Sequence, residues 1–140
     1  MKFIYLSIVT LIAVAGCASS SSNNEEDGPE EYENLVSLQQ PNIQQHEKAT
    51  VYIDSVKKIT VQQQPALLIS GTFPDACTKL KEVTHSISNE QLSLEIIAWR
   101  DPDTMCAQVL TPFNYIYDKL TKKQLSAHSS IIINDTEYSY

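Results

Sequence analysis

Apolar positions along this chain follow four different rhythms. From Phe3 to Ala15 they are nearly continuous, whereas from Ala18 to Glu31 no aliphatic side chain larger than alanine occurs. The stretch from Tyr32 to Glu47, with Gln39-Gln40-Pro41 and Gln44-Gln45, is ambiguous: Leu35, Val36 and Leu38 could pack as a short helix or turn, and the whole reads as linker. From Ala49 onward apolar residues recur with a period near two, the spacing of half-buried strands. Val51-Tyr52-Ile53-Asp54 and Val56–Val61 are rich in β-branched residues, and Ala66–Phe73, set off by Pro65 and Pro74, reads as a buried strand. Lys81–Ile87 and Gln91–Trp99 predict a hairpin turning at Asn89-Glu90, with Leu92, Leu94 and Ile96 sharing one face. Asp101-Pro102-Asp103 opens an irregular loop that runs through Cys106 to Pro112. Phe113, Tyr115 and Tyr117 alternate on a further strand, Lys119–Leu125 could hold one helical turn, and Ile131–Ile133 with Glu137–Tyr140 predict a last hairpin around Asn134-Asp135. About seven short strands with no long amphipathic helix predict an all-β sandwich, a spacing also compatible with a barrel.

The first regime carries its own chemistry. Lys2 precedes the apolar stretch, and Leu11-Ile12-Ala13-Val14-Ala15-Gly16-Cys17 closes it with small residues before a cysteine. This resembles the lipobox of bacterial lipoproteins, which implies cleavage before Cys17 and a diacylglycerol on its thiol. About 13 apolar residues fall short of the roughly 20 that a spanning helix needs. The expected organisation is a signal peptide over 1–16, a lipidated Cys17 with a flexible, disordered tether over 17–48, and a sandwich domain over 49–140. A lipid anchor on the exported side of a cell membrane or outer membrane follows, facing periplasm or cell surface. Ala18 behind the lipid cysteine resembles an outer-membrane sorting signal, for a cell with two membranes.

Charge narrows the partners. The formal net charge is −7, and loss of Lys2 with the leader would make the mature chain more acidic. Such a domain is repelled by phosphate backbones, so no nucleic-acid partner is expected. Anionic lipid repels it too, so attachment to the membrane would rest on the acyl chains.

With Cys17 taken by lipid, Cys77 and Cys106 are left as an even pair, and in an oxidising compartment the default is a disulfide. Closing a loop of about 30 residues restricts the unfolded chain by roughly 3–4 kcal/mol in the loop-entropy account. A catalytic or metal-binding thiol is the alternative.

Two patches are more specific than composition. Gly71-Thr72-Phe73-Pro74-Asp75-Ala76-Cys77-Thr78 and Met105-Cys106-Ala107-Gln108-Val109-Leu110-Thr111-Pro112-Phe113 look like the signature of a small exported bacterial and archaeal domain. In it a Gly-x-x-Pro-x-x-Cys corner and a Cys-x-x-x-x-x-Pro-Phe segment flank a hairpin. The resemblance spans roughly 49–140 and implies an Ig-like sandwich and export; it brings no catalytic residue. Where that domain often has Gly-x-Tyr and Val-Asn-Gly, this chain has His128-Ser129-Ser130 and Ile133-Asn134-Asp135.

Catalytic constellations are sparse. Gly71 is the only glycine of the folded part, so neither a glycine-rich phosphate cradle nor a nucleophile elbow can be written. A Ser-His-Asp set could be assembled in space from Ser70 or Ser86, His85 or His128, and Asp101, as in most serine-rich chains. His46, His85 and His128 lack a short-spaced pair and no Cys-x-x-Cys exists, so no metal or other cofactor is expected. Asp101 and Asp103, with Asp75 brought near by the disulfide, could offer calcium oxygens, but Asp-Pro-Asp is also an ordinary turn.

The expected role is therefore non-enzymatic: a lipid-anchored envelope lipoprotein whose sandwich binds an unknown protein partner or serves a structure. The alternatives are a small-ligand or ion-binding module, an inhibitor of a secreted enzyme and, last, a hydrolase. Trp99, Arg100, Asp101 and Asp103 beside the braced loop are the candidate binding residues, with Trp99 packed as core and Arg100 and Asp103 free to contact the partner at little consequence for stability.

Overall fold

The computed structural model describes residues 32–140. The expected leader, Cys17 and the part of the expected tether before Tyr32 lie outside the described residues. Eight strands and one short helix follow in order: β1 (Glu47–Ala49), β2 (Tyr52–Val61), β3 (Gln64–Phe73), β4 (Lys79–Ser88), β5 (Gln91–Arg100), β6 (Thr111–Tyr117), α1 (Lys122–Ala127), β7 (Ser130–Ile133) and β8 (Thr136–Ser139).

They form a sandwich of two sheets. One is three-stranded, in the order β2-β3-β6. In the other, β5 is central. β4 pairs along one side, while β1 and β7 share the other side end to end, β1 opposite Ala98–Arg100 and β7 opposite Ser93 and Leu94. Only the β5–β7 pair is parallel, and β8 closes that flank on β7. Val51–Asp54 and Val56–Val61, separate in the sequence reading, join from Tyr52 onward in one strand bulged between Ile53 and Ser55.

Three hairpins turn on two residues each. Asn89-Glu90, Asn134-Asp135 and Gln62-Gln63 all have positive φ at both positions, the type I′ turn whose twist matches that of paired strands. The first two lie where expected. Gln62-Gln63 carries no sequence signal, because glutamine has no short polar side chain to favour the left-handed region.

The core lies between the sheets. Leu67, Ile69 and Phe73 of β3, Phe113, Tyr115 and Tyr117 of β6, Leu80 and Val83 of β4, and Leu92, Leu94, Ile96 and Ala98 of β5 meet there, with Leu125 of α1 and Ile131 and Ile133 of β7. The Phe73 and Phe113 rings stack at 4.2 Å. Opposite Phe113 stands Gly71. A Cβ there would run into the Tyr52 carbonyl and lie 2.8 Å from the Phe113 ring, so the glycine is needed for close approach.

The stretch 32–48, read as linker, is held against this sandwich. Asn114 of β6 exchanges backbone bonds with Asn34 and Val36, and Gln39 N–H donates to the Leu80 carbonyl at 2.8 Å. Val36 and Leu38 pack against the core, and pairing begins at Glu47, two residues before the expected boundary. The segment passes from the β6 edge to the β4 edge and then, as β1, to the far side of β5.

Candidate functional site

The Gly71–Thr78 corner and the Asp101–Leu110 loop meet at one end of the sandwich. Cys77 and Cys106 are bonded to each other, and Ala76 N–H donates to the Ala107 carbonyl at 3.1 Å. The loop is thus tied to the corner both covalently and through its backbone.

Asp75 organises the corner. It is 2% exposed. Its Oδ1 accepts from Cys77 N–H at 2.9 Å, Thr78 N–H at 2.8 Å and the Thr78 hydroxyl at 2.9 Å. Oδ2 faces Arg100 Nη1 at 3.3 Å. Burial alone would push this carboxyl up, but the Cys77 and Thr78 bonds and the Arg100 charge outweigh it and hold the group below its ordinary range. Asp75 is therefore a fixed anion that satisfies the turn leading to the disulfide.

Arg100 is committed to that anion. Besides Asp75, its Nε lies 3.8 Å from a Glu47 carboxylate oxygen, across the Glu47–Arg100 strand pair. Arg100 is thus paired within the domain rather than free as expected, while the pair, with the arginine a third exposed, contributes only modestly to stability.

Trp99 is buried at 4% exposure, but not between the sheets. Alternation along β5 points it to the face opposite Leu94, Ile96 and Ala98. Its indole N–H donates to the Gln39 carbonyl at 2.7 Å, the His46 ring meets it edge-on at 6.0 Å, and Lys79 Nζ sits 5.5 Å from its centre. The N-terminal segment forms a roof over it.

Asp101 caps its own turn. Its carboxylate accepts from Asp103 N–H at 2.9 Å and the Thr104 hydroxyl at 2.8 Å, and these bonds lower its pKa. Asp101-Pro102-Asp103 is thus an ordinary turn, with Asp103 exposed beyond it. Asp75 faces Arg100 rather than this pair, so the three carboxylates do not converge. Among the described residues no group of three or more His, Cys, Asp or Glu could hold a metal ion. The His85 ring nitrogen Nδ1 lies 2.6 Å from the Tyr117 hydroxyl rather than against a serine.

Sequence reasoning passed over the loop's apolar residues. Met105 is 100% exposed, Val109 56% and Leu110 66%. Their signal was legible: three large apolar residues inside a loop bounded by Asp-Pro-Asp and Pro112. Away from the loop, an open cleft of about 740 Å³ lies over β5 among Lys48, Thr50, Thr84, Ser86, Ser93 and Glu95. Asn134 borders it, its side-chain amide accepting from Ile96 N–H at 2.9 Å and donating to the Ile96 carbonyl at 3.0 Å. This amide takes the place of a strand in the gap between the last residues of β1 and β7, Ala49 opposite Ala98 and Ile133 opposite Leu94.

An eight-stranded sandwich stapled by one disulfide and presenting a braced apolar loop is the class of domain these features define. The chain belongs to the ORF11 beta-sandwich domain family, whose model matches residues 67–140. β1, β2 and the roof over Trp99 precede the matched span. Neither the curated proteins nor the solved structures contain a match.

Proposed function

We propose that this chain is a lipid-anchored, exported, non-enzymatic lipoprotein whose sandwich binds a protein partner through the Thr104–Leu110 loop. The observation that carries the reading is the exposure of Met105, Val109 and Leu110 on a loop bonded to the corner through Cys77–Cys106. Large apolar side chains held out in water by a covalent brace gain area on binding while ordering little new chain. Acidic neighbours, Asp101 and Asp103, favour a protein surface over an anionic bilayer. Anchoring would come from Cys17 behind its apolar leader.

Two experiments divide the reading. Cys17→Ser should release the chain from the membrane fraction and remove the acyl-modified N-terminal peptide. Crosslinking in intact cells, with mass spectrometry of captured proteins, should lose its adduct in Met105→Asp and Leu110→Asp while the chain stays folded. Adducts unchanged by both loop variants would remove the loop from the proposal, and unchanged membrane attachment of unmodified Cys17→Ser would remove the anchor.

A further inference from the structure

Four of the exposed strand edges are guarded and one is not. The β2 edge carries a bulge and the exposed Lys57 and Lys58, β1 and β8 are short, and the β6 edge is met by Leu35 and Val36. These are the usual devices against edge-to-edge pairing. On β4, Gln39 N–H bonds the Leu80 carbonyl and the Gln40 side chain bonds the Lys81 carbonyl. Beyond them, Glu82–Ser88 pairs only with β5 among the described residues. From Val83 on, this edge reads Val-Thr-His-Ser-Ile-Ser: β-prone, uncharged, without proline or glycine.

The hairpin geometry says which groups are free. A two-residue turn at Asn89-Glu90 makes Ser88 and Gln91 a hydrogen-bonded pair, as are Ser86 with Ser93 and Thr84 with Glu95. Val83, His85 and Ile87 therefore turn their N–H and C=O groups away from β5. Ile87 is also 45% exposed, although it lies on the core-facing side of the strand.

We infer that this edge pairs antiparallel with β4 of a second copy of the chain, about a two-fold axis at His85. The free stretch is symmetric about His85, so Val83 stands opposite Ile87 of the second copy, Thr84 opposite Ser86 and Glu82 opposite Ser88. Core-facing residues meet core-facing residues, Ile87 gains an apolar cover, and six backbone bonds close. No Lys, Arg, Asp or Glu opposes its like, and His85 faces His85 of the second copy. Sliding two residues one way sets Glu82 against Glu90 of the second copy; sliding the other way runs the pair into the Lys81 bulge. A single strand pair covers less surface than a standard interface, so the dimer is a weak one. This inference goes beyond the partner loop and does not rest on it.

The test uses the purified full chain. In that register Thr84 and Ser86 form a non-hydrogen-bonded cross-copy pair, the closer kind, within disulfide reach. Thr84→Cys/Ser86→Cys should give a dimer on non-reducing gels after mild oxidation. The parent chain, which controls for Cys17, should not, and adding Ile87→Lys should abolish the band, because a charge at the edge blocks pairing. A melting curve of each variant confirms folding. A band no stronger than the parent's, or one indifferent to Ile87→Lys, overturns the inference. Crosslinking of the same cysteines to a different protein in membranes overturns the second copy in favour of an extended segment of that protein.

Discussion

Asp75→Ala is the most informative single change. It removes the acceptor of two backbone N–H groups and one hydroxyl at the corner that leads into the disulfide. Each buried donor left without a partner costs about 1–3 kcal/mol, and the Thr78 amide is buried while that of Cys77 is partly so. Two orphaned amides and the hydroxyl together put the loss at about 3–4 kcal/mol. Arg100 is a third exposed, so its charge can rehydrate, and loss of the ion pair adds about 1 kcal/mol at most. The variant should melt more than 10 °C lower for a domain of this size, measured on the oxidised protein by thermal and urea unfolding. The same reasoning orders the partners, because Arg100→Ala leaves all three Oδ1 bonds intact and should cost less than Asp75→Ala. The sign with pH is also fixed. A carboxyl held below its unfolded value contributes stability above about pH 4, and that contribution is lost as pH falls through the folded pKa. Asp75→Asn should flatten this acid limb. Equal losses in Asp75→Ala and Arg100→Ala, or an acid limb unchanged in Asp75→Asn, would refute the hydrogen-bond account.

Three further outcomes follow from the packing. Gly71→Ala forces a methyl against the Tyr52 carbonyl and the Phe113 ring, and should cost about 3 kcal/mol or more or leave the chain unfolded when expressed. Trp99→Ala empties the space beneath the N-terminal segment and should cost about 3–5 kcal/mol, with faster amide exchange at Gln39–Glu47; protection unchanged there would detach the roof from the ring. Met105→Asp, on a side chain wholly in water, should shift the melting temperature by less than about 2 °C, and a larger shift would mean that the loop packs on the domain.

The strands were readable wherever one face is buried. Leu92, Leu94 and Ile96 alternate because β5 has one side on the core and one toward solvent, and Asn89-Glu90 and Asn134-Asp135 announce their turns because asparagine tolerates positive φ. Gln62-Gln63 could not be read in the same way. It adopts the left-handed conformation because ten-residue strands on either side over-determine it, a tertiary cause with no local trace. The stretch from Asn34 to His46 was hidden for another reason. It is held largely by backbone groups, Gln39 N–H and C=O and the carbonyls and amides around Asn114, and every residue type carries those. A glutamine-rich segment can therefore roof a tryptophan while its composition reads as linker.

The candidate site shows what sequence adjacency does and does not convey. Trp99 and Arg100 are neighbours in the chain, and the sequence placed both beside the disulfide, the tryptophan as core and the arginine as a free contact. On a strand, neighbours face opposite ways. Trp99 goes to the outer face beneath Gln39 and His46, and Arg100 turns to the end of the sandwich against Asp75 and Glu47. Both side chains are thereby spent on holding the fold. What remains for a partner is the part of the loop that nothing in the domain needs, where Met105, Val109 and Leu110 stand in water. An arginine was read as available because its charge is visible in sequence, whereas its buried counter-ion lies 25 residues away. Yet the Asp75-Ala-Cys77-Thr78 turn does carry a local signature, an aspartate whose carboxylate meets the amides two and three residues on. That signature gives the turn alone, since Asp101 makes a similar one that is exposed, and the structure adds that Asp75 is buried. A buried anion requires a cation, and among the residues that Cys77–Cys106 brings to this end of the sandwich, Arg100 is the one positioned to supply it.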